Sequence, residues 1–145
     1  MRFIITAQAG PDEGEQGSQA GMDEALLTKY MKFNEEMHKA GVLVASEGLN
    51  PAARGARIAV ARGKRYVVDG PFAESKELVG GFYIIEVNSL EEAVSWALRA
   101  PSGLGTDDVL EVRQLTGAGD VPPEVLAIIE AAAPSWSKSV WQARQ

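Results

Sequence analysis

The chain has no cysteine and one histidine, His38. The lack of cysteine excludes disulfide bonds, thiolate nucleophiles and cysteine-ligated metals. A single histidine also excludes a metal site built from several histidines within one protomer. We therefore predict that the protein holds no metal and no cofactor.

Long hydrophobic runs and an excess of basic residues are also missing. No run approaches the roughly 20 apolar residues that a membrane span requires. The first residues show no signal-peptide cleavage pattern, so we predict a cytoplasmic protein that binds no membrane. The formal net charge is −6, and nucleic-acid binding is not expected because it relies on basic clusters. The basic run at residues 62–65 is interpreted as a solvated hairpin tip.

Apolar spacing predicts a strand, a helix and a second strand in the first part of the chain. Residues 2–8 are expected to form a strand, and residues 9–21, rich in glycine and polar side chains, a loop. The helix begins near Met22 and ends at Gly41, a typical C-terminal cap residue. A second strand follows over residues 42–45. Four apolar residues recur at intervals of four and three on one face of the helix: Leu26, Tyr30, Phe33 and Met37.

The remaining chain continues with strands and two more helices. A hairpin is predicted over residues 58–60 and 66–68, and further strands over residues 82–87 and 109–115. Ser89 and Glu92 match a capping box at the start of the second helix. Its predicted apolar stripe is Leu90, Ala93, Val94, Ala97 and Leu98. The last helix is expected to start near Pro122-Pro123, with the apolar face Val125, Leu126, Ile128 and Ile129.

This order of elements predicts an α+β protein with a ferredoxin-like, split βαβ sheet. The chain is long enough for one domain with a single core. We assign residues 1–116 to that domain and residues 117–145 to a C-terminal helical extension packed on it.

Apolar residues at consecutive positions in two strands bear on assembly. The runs Phe3-Ile4-Ile5 and Phe82-Tyr83-Ile84-Ile85 place apolar side chains on both faces of the sheet. Helices are expected to cover one face, and a second subunit would cover the other. We therefore predict a homodimer. The alternative is that the C-terminal helix, or the tail with Trp136 and Trp141, covers that face within the protomer.

The segment Asp69-Gly70-Pro71-Phe72 stops a strand abruptly and continues into a charged run, residues 73–77. Gly70 is able to adopt φ values closed to other residues, and Pro71 fixes its own φ, so both are interpreted as structural turn residues. Asp69 is the first catalytic candidate, because a carboxylate partly desolvated by Phe72 is able to act as a general base. Alternatively, Asp69 accepts backbone hydrogen bonds and locks the turn.

Glu47 is the second catalytic candidate. It follows an apolar strand, and if it meets Asp69, repulsion between the two carboxylates would raise one pKa and permit acid–base chemistry. Alternatively, Glu47 forms a surface ion pair with Arg54, Arg57 or Lys76.

Further residues are candidates for binding a small-molecule ligand. Arg113 would hold a carboxylate through a bidentate contact, or would instead pair with Glu111 or Asp107. Tyr30 lies on the apolar helical stripe, yet its hydroxyl would reach a pocket between helix and sheet. The full set of ligand-binding candidates is Tyr30, Phe72, Glu74, Lys76 and Arg113.

Several spaced motifs together resemble the YCII-related family, specifically its DGPF-domain branch. They are the Glu47-Gly48-Leu49-Asn50-Pro51 run, the segment from Val67 to Glu77, the Gly80-Gly81-Phe82-Tyr83 run and the late strand that contains Glu111-Val112-Arg113. The resemblance covers about residues 1–115 and implies a dimeric α+β barrel of ferredoxin-like protomers.

The family resemblance implies no general activity. Shorter members of the YCII-related family are suspected of enzymatic chemistry through a histidine on the first helix and a nearby aspartate. Here Tyr30 or a close neighbour occupies the histidine's expected position, and His38 lies about two turns later. Members of the DGPF branch are also associated with bacterial extracytoplasmic-function sigma factors, which points to regulation.

Three functions remain open at this point. The first is a cofactor-independent lyase or isomerase that uses Asp69 in a pocket between helix and sheet. The second is a noncatalytic dimeric module that binds a small molecule. The third is a regulatory protein-interaction module, linked by the resemblance to sigma factors.

Overall fold

The computed structural model describes residues 1–9, 24–49, 55–69, 78–101 and 109–142. These residues form six strands, four α-helices and a short 3₁₀ helix, Ala118–Asp120, in an order that confirms the predicted α+β class. The strands are β1 (Arg2–Ala9), β2 (Leu43–Gly48), β3 (Ala56–Ala61), β4 (Lys64–Asp69), β5 (Leu78–Glu86) and β6 (Val109–Gln114). The helices are α1 (Glu24–Lys39), α2 (Leu90–Ala97), α3 (Pro123–Ala132) and α4 (Pro134–Ser137), the last followed by a π-helical turn, Lys138–Gln142.

The main sheet has the strand order β2-β5-β1-β6, and every neighbouring pair is antiparallel. Helix α1 links β1 to β2, and β5 lies between these two strands, which is the split βαβ arrangement. The second half repeats this arrangement: helix α2 links β5 to β6, and β1 lies between these two strands. This order is consistent with the predicted ferredoxin-like fold.

The hydrophobic core lies between this sheet and helices α1 and α2. Phe3, Ile5 and Ile85 on the central strands are fully buried, and Met37 of α1 packs against them. The predicted stripe of α1 is confirmed in its C-terminal half, where Phe33 and Met37 are buried. The rest of the core cluster consists of Tyr83, Val87, Ala93 and Ala97.

Helix α1 ends in a glycine cap, as its sequence predicts. Gly41 has φ of +72°. Its N–H donates to the carbonyl of His38, and the N–H of Val42 donates to the carbonyl of Met37. This pair of bonds is a Schellman motif, which satisfies carbonyls that the helix itself leaves without partners.

Helix α2 starts as predicted but packs through a narrower stripe. The Ser89 side chain accepts a hydrogen bond from the N–H of Glu92 at 3.1 Å, which confirms the N-terminal cap. Ala93 and Ala97 are buried, whereas Leu98 is 82% exposed. The predicted apolar stripe was therefore wrong for its larger members, because the small alanines let the helix backbone approach the sheet while the long side chains point outward. Leu90 and Val94 are also exposed.

Helix α3 begins at Pro123, which confirms the predicted start of the last helix near Pro122-Pro123. Its Leu126 and Ile129 are half-buried, whereas Ile128 is exposed. The rings of Trp136 and Trp141 pack against each other with centroids 5.4 Å apart. Among the described helices, none combines the length and the apolar character that crossing a lipid bilayer would require.

Strands β3 and β4 form a separate two-stranded sheet, here called the hairpin. Its turn residues Arg62 and Gly63 both have positive φ, +50° and +74°. Two consecutive residues of this kind are typical of the tight turns that match the twist of paired strands. The predicted hairpin and its basic tip are thus confirmed.

Candidate functional site

The sheet has a far face that points away from α1 and α2. Ile4 and Thr6 of β1 and Phe82 and Ile84 of β5 alternate with buried residues, so they lie on this face, where each is half-buried. Residues paired directly across antiparallel strands share a face. The register therefore adds four residues of the edge strands to the far face: Ala45, Glu47, Glu111 and Arg113.

The two predicted site residues on the far face, Glu47 and Arg113, lie on opposite edges of the sheet. Strands β5 and β1 separate them, and three strand spacings amount to about 14 Å. Glu47 is exposed. Arg113 Nε lies 3.6 Å from Glu111 Oε1 with both side chains largely exposed, which is one of the two arrangements predicted for this arginine. The sheet does not bring these two candidates together.

Tyr30 lies on the other side of the sheet. It is half-buried on α1, the helix that covers the core face, and it is close enough to Tyr83 of β5 to affect its ionisation. Because neighbouring strand residues point to opposite faces, Glu47 and its neighbour Ser46 are directed to different sides. A pocket under α1 that contains Tyr30 therefore excludes Glu47.

Four polar side chains meet under α1, and we call them the phenol cluster: Tyr30, Asn34, Ser46 and Tyr83. Tyr30 and Asn34 are one helical turn apart and lie on one face of α1. Ser46 is paired directly with Tyr83 across β2 and β5, so both point toward the helix. The Ser46 hydroxyl donates to Asn34 Oδ1 at 3.2 Å, joining strand and helix.

Tyr83 is the most unusual member of the phenol cluster. Its side chain is 8% exposed, and its ring meets that of Phe33 edge to face, with centroids 5.7 Å apart. Burial raises the pKa of Tyr83 to about 12, and the nearby Tyr30 adds to the increase. Within the described ranges the hydroxyl makes no hydrogen bond. With respect to the described residues it is therefore a donor without a partner in a largely apolar setting, which is rare for a buried polar group.

Asp69 is the last residue of β4, and its backbone pairs with Ala56 at the base of the hairpin. Its side chain is outside the described part of the structure, as are Gly70, Pro71, Phe72, Glu74 and Lys76. The hypothesis that Glu47 meets Asp69 therefore stays a hypothesis. In the residues that the structure does describe, no group of three or more histidine, aspartate or glutamate side chains is arranged to hold a metal.

Sequence reasoning found Tyr30 but missed its partners. Tyr83 stands in the continuous apolar run 82–85, where it is easily taken for ordinary core. Asn34 could have been found, because it follows Tyr30 by four residues and is polar on the inner side of a helix. Ser46 could not have been found from the sequence, because its pairing with Tyr83 depends on strand register and on the irregularity between Leu43 and Ala45.

Comparison with known proteins gives a family but no activity. The family model described as YCII-related domain matches residues 1–116. An uncharacterised protein of Rhizobium meliloti (strain 1021) is 33% identical over 93 residues, which is 64% of this chain and 75% of that protein. The family match ends just after β6, so helices α3 and α4 lie beyond it.

Proposed function

Since the chain belongs to the YCII-related domain family, for which the resemblance implies no general activity, we propose a function from its own residues: a cofactor-independent lyase or isomerase that acts on a small carbonyl compound at the phenol cluster. The observation that carries this proposal is the hydroxyl of Tyr83. Tyr83 is buried, burial raises the pKa of its phenol, and among the described residues its hydroxyl has no partner, so we expect it to donate to an oxygen of a bound molecule.

A phenol of this kind is suited to stabilise charge that develops on a substrate oxygen. Loss of a proton from the carbon next to a carbonyl sends the bonding electrons to the carbonyl oxygen and creates an enolate. A fixed hydrogen-bond donor in a dry site stabilises that oxygen without reorganising solvent. Tyr83 would be this donor, and Tyr30 would orient the substrate beside it.

The base in this reaction would be Asp69, which accepts the proton from carbon. A carboxylate next to apolar groups has a raised pKa and works as a base near neutral pH. Return of the proton to the opposite face of the same carbon completes an isomerisation, whereas loss of a group from the neighbouring carbon completes an elimination. Asp69 ends the strand that leads, through residues 70–77, into the strand of Tyr83, which supports this pairing.

We also propose that the protein is a homodimer joined through the far faces of two sheets, forming the dimeric α+β barrel expected for the family. Helices α1 and α2 cover the opposite face only, and Ile4, Phe82 and Ile84 remain half-buried on the far face. A second sheet placed face to face would cover them at the usual spacing of about 10 Å.

Thermal unfolding with a panel of enolisable aryl ketones and 2-oxo acids tests the site. We expect at least one compound to stabilise the wild-type protein and to lose this effect with Tyr83→Phe, which keeps the ring but removes the hydroxyl. Tyr66→Phe is the matched control, because Tyr66 is 50% exposed on the hairpin. If every stabilising compound acts equally on Tyr83→Phe, or if none stabilises, Tyr83 is a core residue only.

Deuterium incorporation into the stabilising compound separates catalysis from binding. Turnover predicts solvent deuterium at the carbon next to the carbonyl, lost in Asp69→Asn while the unfolding temperature stays close to wild type. Stabilisation without deuterium incorporation would identify the noncatalytic ligand-binding module instead. Unfolding of Asp69→Asn would assign that aspartate to the turn.

A further inference from the structure

The hairpin exposes more aliphatic surface than a solvated connection requires. Ile58, Val60 and Val67 are 62%, 66% and 62% exposed. Ile58 is paired with Val67, and Val60 lies two residues from Ile58 on the same strand, so the three share one face. Tyr66 and Val68 on the other face are 50% and 39% exposed. Apolar side chains therefore stand free on both faces.

This exposure is unusual for such a small sheet. The strands of the hairpin pair with each other and with no other described strand. An isolated two-stranded sheet is marginally stable in water and normally needs a third strand or a packed surface. Contiguous exposed apolar residues of this kind typically mark a contact with another macromolecule.

The charge of the hairpin indicates which partner fits. Residues 56–69 contain four of the 14 basic residues and one of the 20 acidic residues, so they carry a formal +3 and the rest of the chain carries −9. Among the described residues, Arg62, Lys64 and Arg65 form no ion pair, and all three are exposed. A basic hairpin on an acidic body is complementary to the body of another copy of the same chain.

We propose that the hairpin is an arm that docks on a second copy of this chain. Its role rests on the homodimer proposed above, in which each hairpin would reach the acidic surface of the partner. Nucleic acid is the poorer occupant, because the body would repel phosphates and because Ile58, Val60 and Val67 offer no ring on which bases stack.

Sedimentation equilibrium tests the arm with two charge variants of equal net change. Lys64→Glu/Arg65→Glu reverses two charges on the hairpin but leaves its turn residues intact, whereas Lys29→Glu/Lys32→Glu reverses two exposed charges on α1. We expect the hairpin variant to raise the dimer dissociation constant about tenfold or more and the α1 variant to change it less than about threefold. Added salt should raise the wild-type constant more than that of the hairpin variant.

A second pair of variants tests the apolar contact without relying on charge. Ile58→Thr/Val67→Thr keeps β-branched side chains, which favours folding of the hairpin. Ile128→Thr is the control, because Ile128 is 67% exposed on α3. We expect the hairpin variant to weaken the dimer by about tenfold or more and the control to leave it intact, with circular dichroism confirming that both fold.

The outcomes separate the arm from the sheet interface. If the hairpin variants dimerise like wild type while Ile84→Lys on the far face is monomeric, the proposal that the hairpin docks on the partner is wrong. The proposed homodimer through the far faces would then be supported. A wild-type protein that is monomeric at about 100 μM, far above the dissociation constant of a stable complex, overturns both. Ligand stabilisation through Tyr83 would still decide the proposed function. Binding of labelled single-stranded DNA that depends on Lys64 and Arg65 would overturn the arm in favour of nucleic acid.

Discussion

Gly81 of β5 lies so close to Glu47 of β2 that a Cβ atom on Gly81 would be 2.9 Å from the Glu47 carbonyl oxygen. Real Cβ atoms essentially never approach a backbone oxygen this closely, and a backbone atom is unable to move aside as a flexible side chain does. This close approach of β2 and β5 lies next to the Ser46–Tyr83 pair of the same two strands. Position 81 therefore requires glycine, because there is no room for a Cβ atom beside β2.

We expect Gly81→Ala to destabilise the protein by about 1 to 3 kcal/mol, the usual cost of forcing extra atoms into a packed site. Gly48→Ala is the control, because Gly48 is paired with Gly81 and a Cβ there would meet nothing within 4 Å. Urea unfolding of both variants measures the difference. Equal stability of the two would show that β2 shifts to accommodate the methyl group.

The cap of α1 gives a second prediction that depends on backbone conformation. Gly41 has φ of +72° and open space around its Cα, so substitution there is strained by conformation and not by contact. We expect Gly41→Ala to cost about 1 to 2 kcal/mol, the price of placing a residue with a Cβ in the left-handed region. Gly41→Asn should cost less, because asparagine tolerates this conformation. Thermal unfolding of the two variants provides the comparison.

Much of the fold could be predicted because local patterns and the final structure agree. The spacing of Phe33 and Met37, the cap at Gly41 and the hairpin turn at Gly63 are local signals that tertiary packing leaves in place. Helix α2 shows where such signals stop. The spacing placed both Ala97 and Leu98 on the core face, but only Ala97 is buried. Close helix–sheet packing favours the smaller side chain, and sequence alone does not reveal that distance.

The site was less predictable because it depends on strand register. Tyr30 could be placed on an inner helical face from its spacing alone. Whether Glu47 or Ser46 points toward that face is decided by one residue of register, since a shift by one exchanges the two faces of a strand. The irregularity in β2 between Leu43 and Ala45 leaves no clear trace in the sequence.

The raised pKa of Tyr83 makes stability depend on pH in the alkaline range. The unfolded chain loses this proton near the ordinary value of 10.0, whereas the folded protein keeps it until about 12. Between these values the folded state binds more protons, so stability is fully present below pH 10 and falls as pH rises. We expect the loss to be on the order of 2 kcal/mol.

Comparison of Tyr83→Phe with Tyr66→Phe isolates this contribution. Denaturant unfolding from pH 9 to 12 should show a shallower decline for Tyr83→Phe only. Absorbance of the ionised phenol provides an independent measurement, because the chain has only three tyrosines to titrate. The part of the absorbance change that is present in wild type and absent in Tyr83→Phe should have its midpoint near pH 12. A midpoint near 10 would mean that the hydroxyl is in contact with solvent, which would weaken its proposed role as a donor in a dry site.

The ion pair between Glu36 of α1 and Arg99, just after α2, is expected to contribute little to stability. The guanidinium group of Arg99 pairs with the Glu36 carboxylate and lies 4.6 Å from the centre of the Trp96 ring. Both charged side chains are 54% exposed, so solvent screens their attraction. A double-mutant cycle with Glu36→Gln and Arg99→Gln should give a coupling energy below about 1 kcal/mol that decreases in high salt.

Trp96→Ala should be far more destabilising than either charge substitution. The indole ring is half-buried and packs against Phe33, with ring centroids 6.2 Å apart, so its removal exposes the core under both helices. We expect a loss of about 3 kcal/mol, at the lower end for truncating a large aromatic side chain because Trp96 is only partly buried. If Arg99→Gln were equally costly, the ion pair and not the aromatic contact would hold α2 against α1. Urea unfolding of the three single variants decides between these interactions.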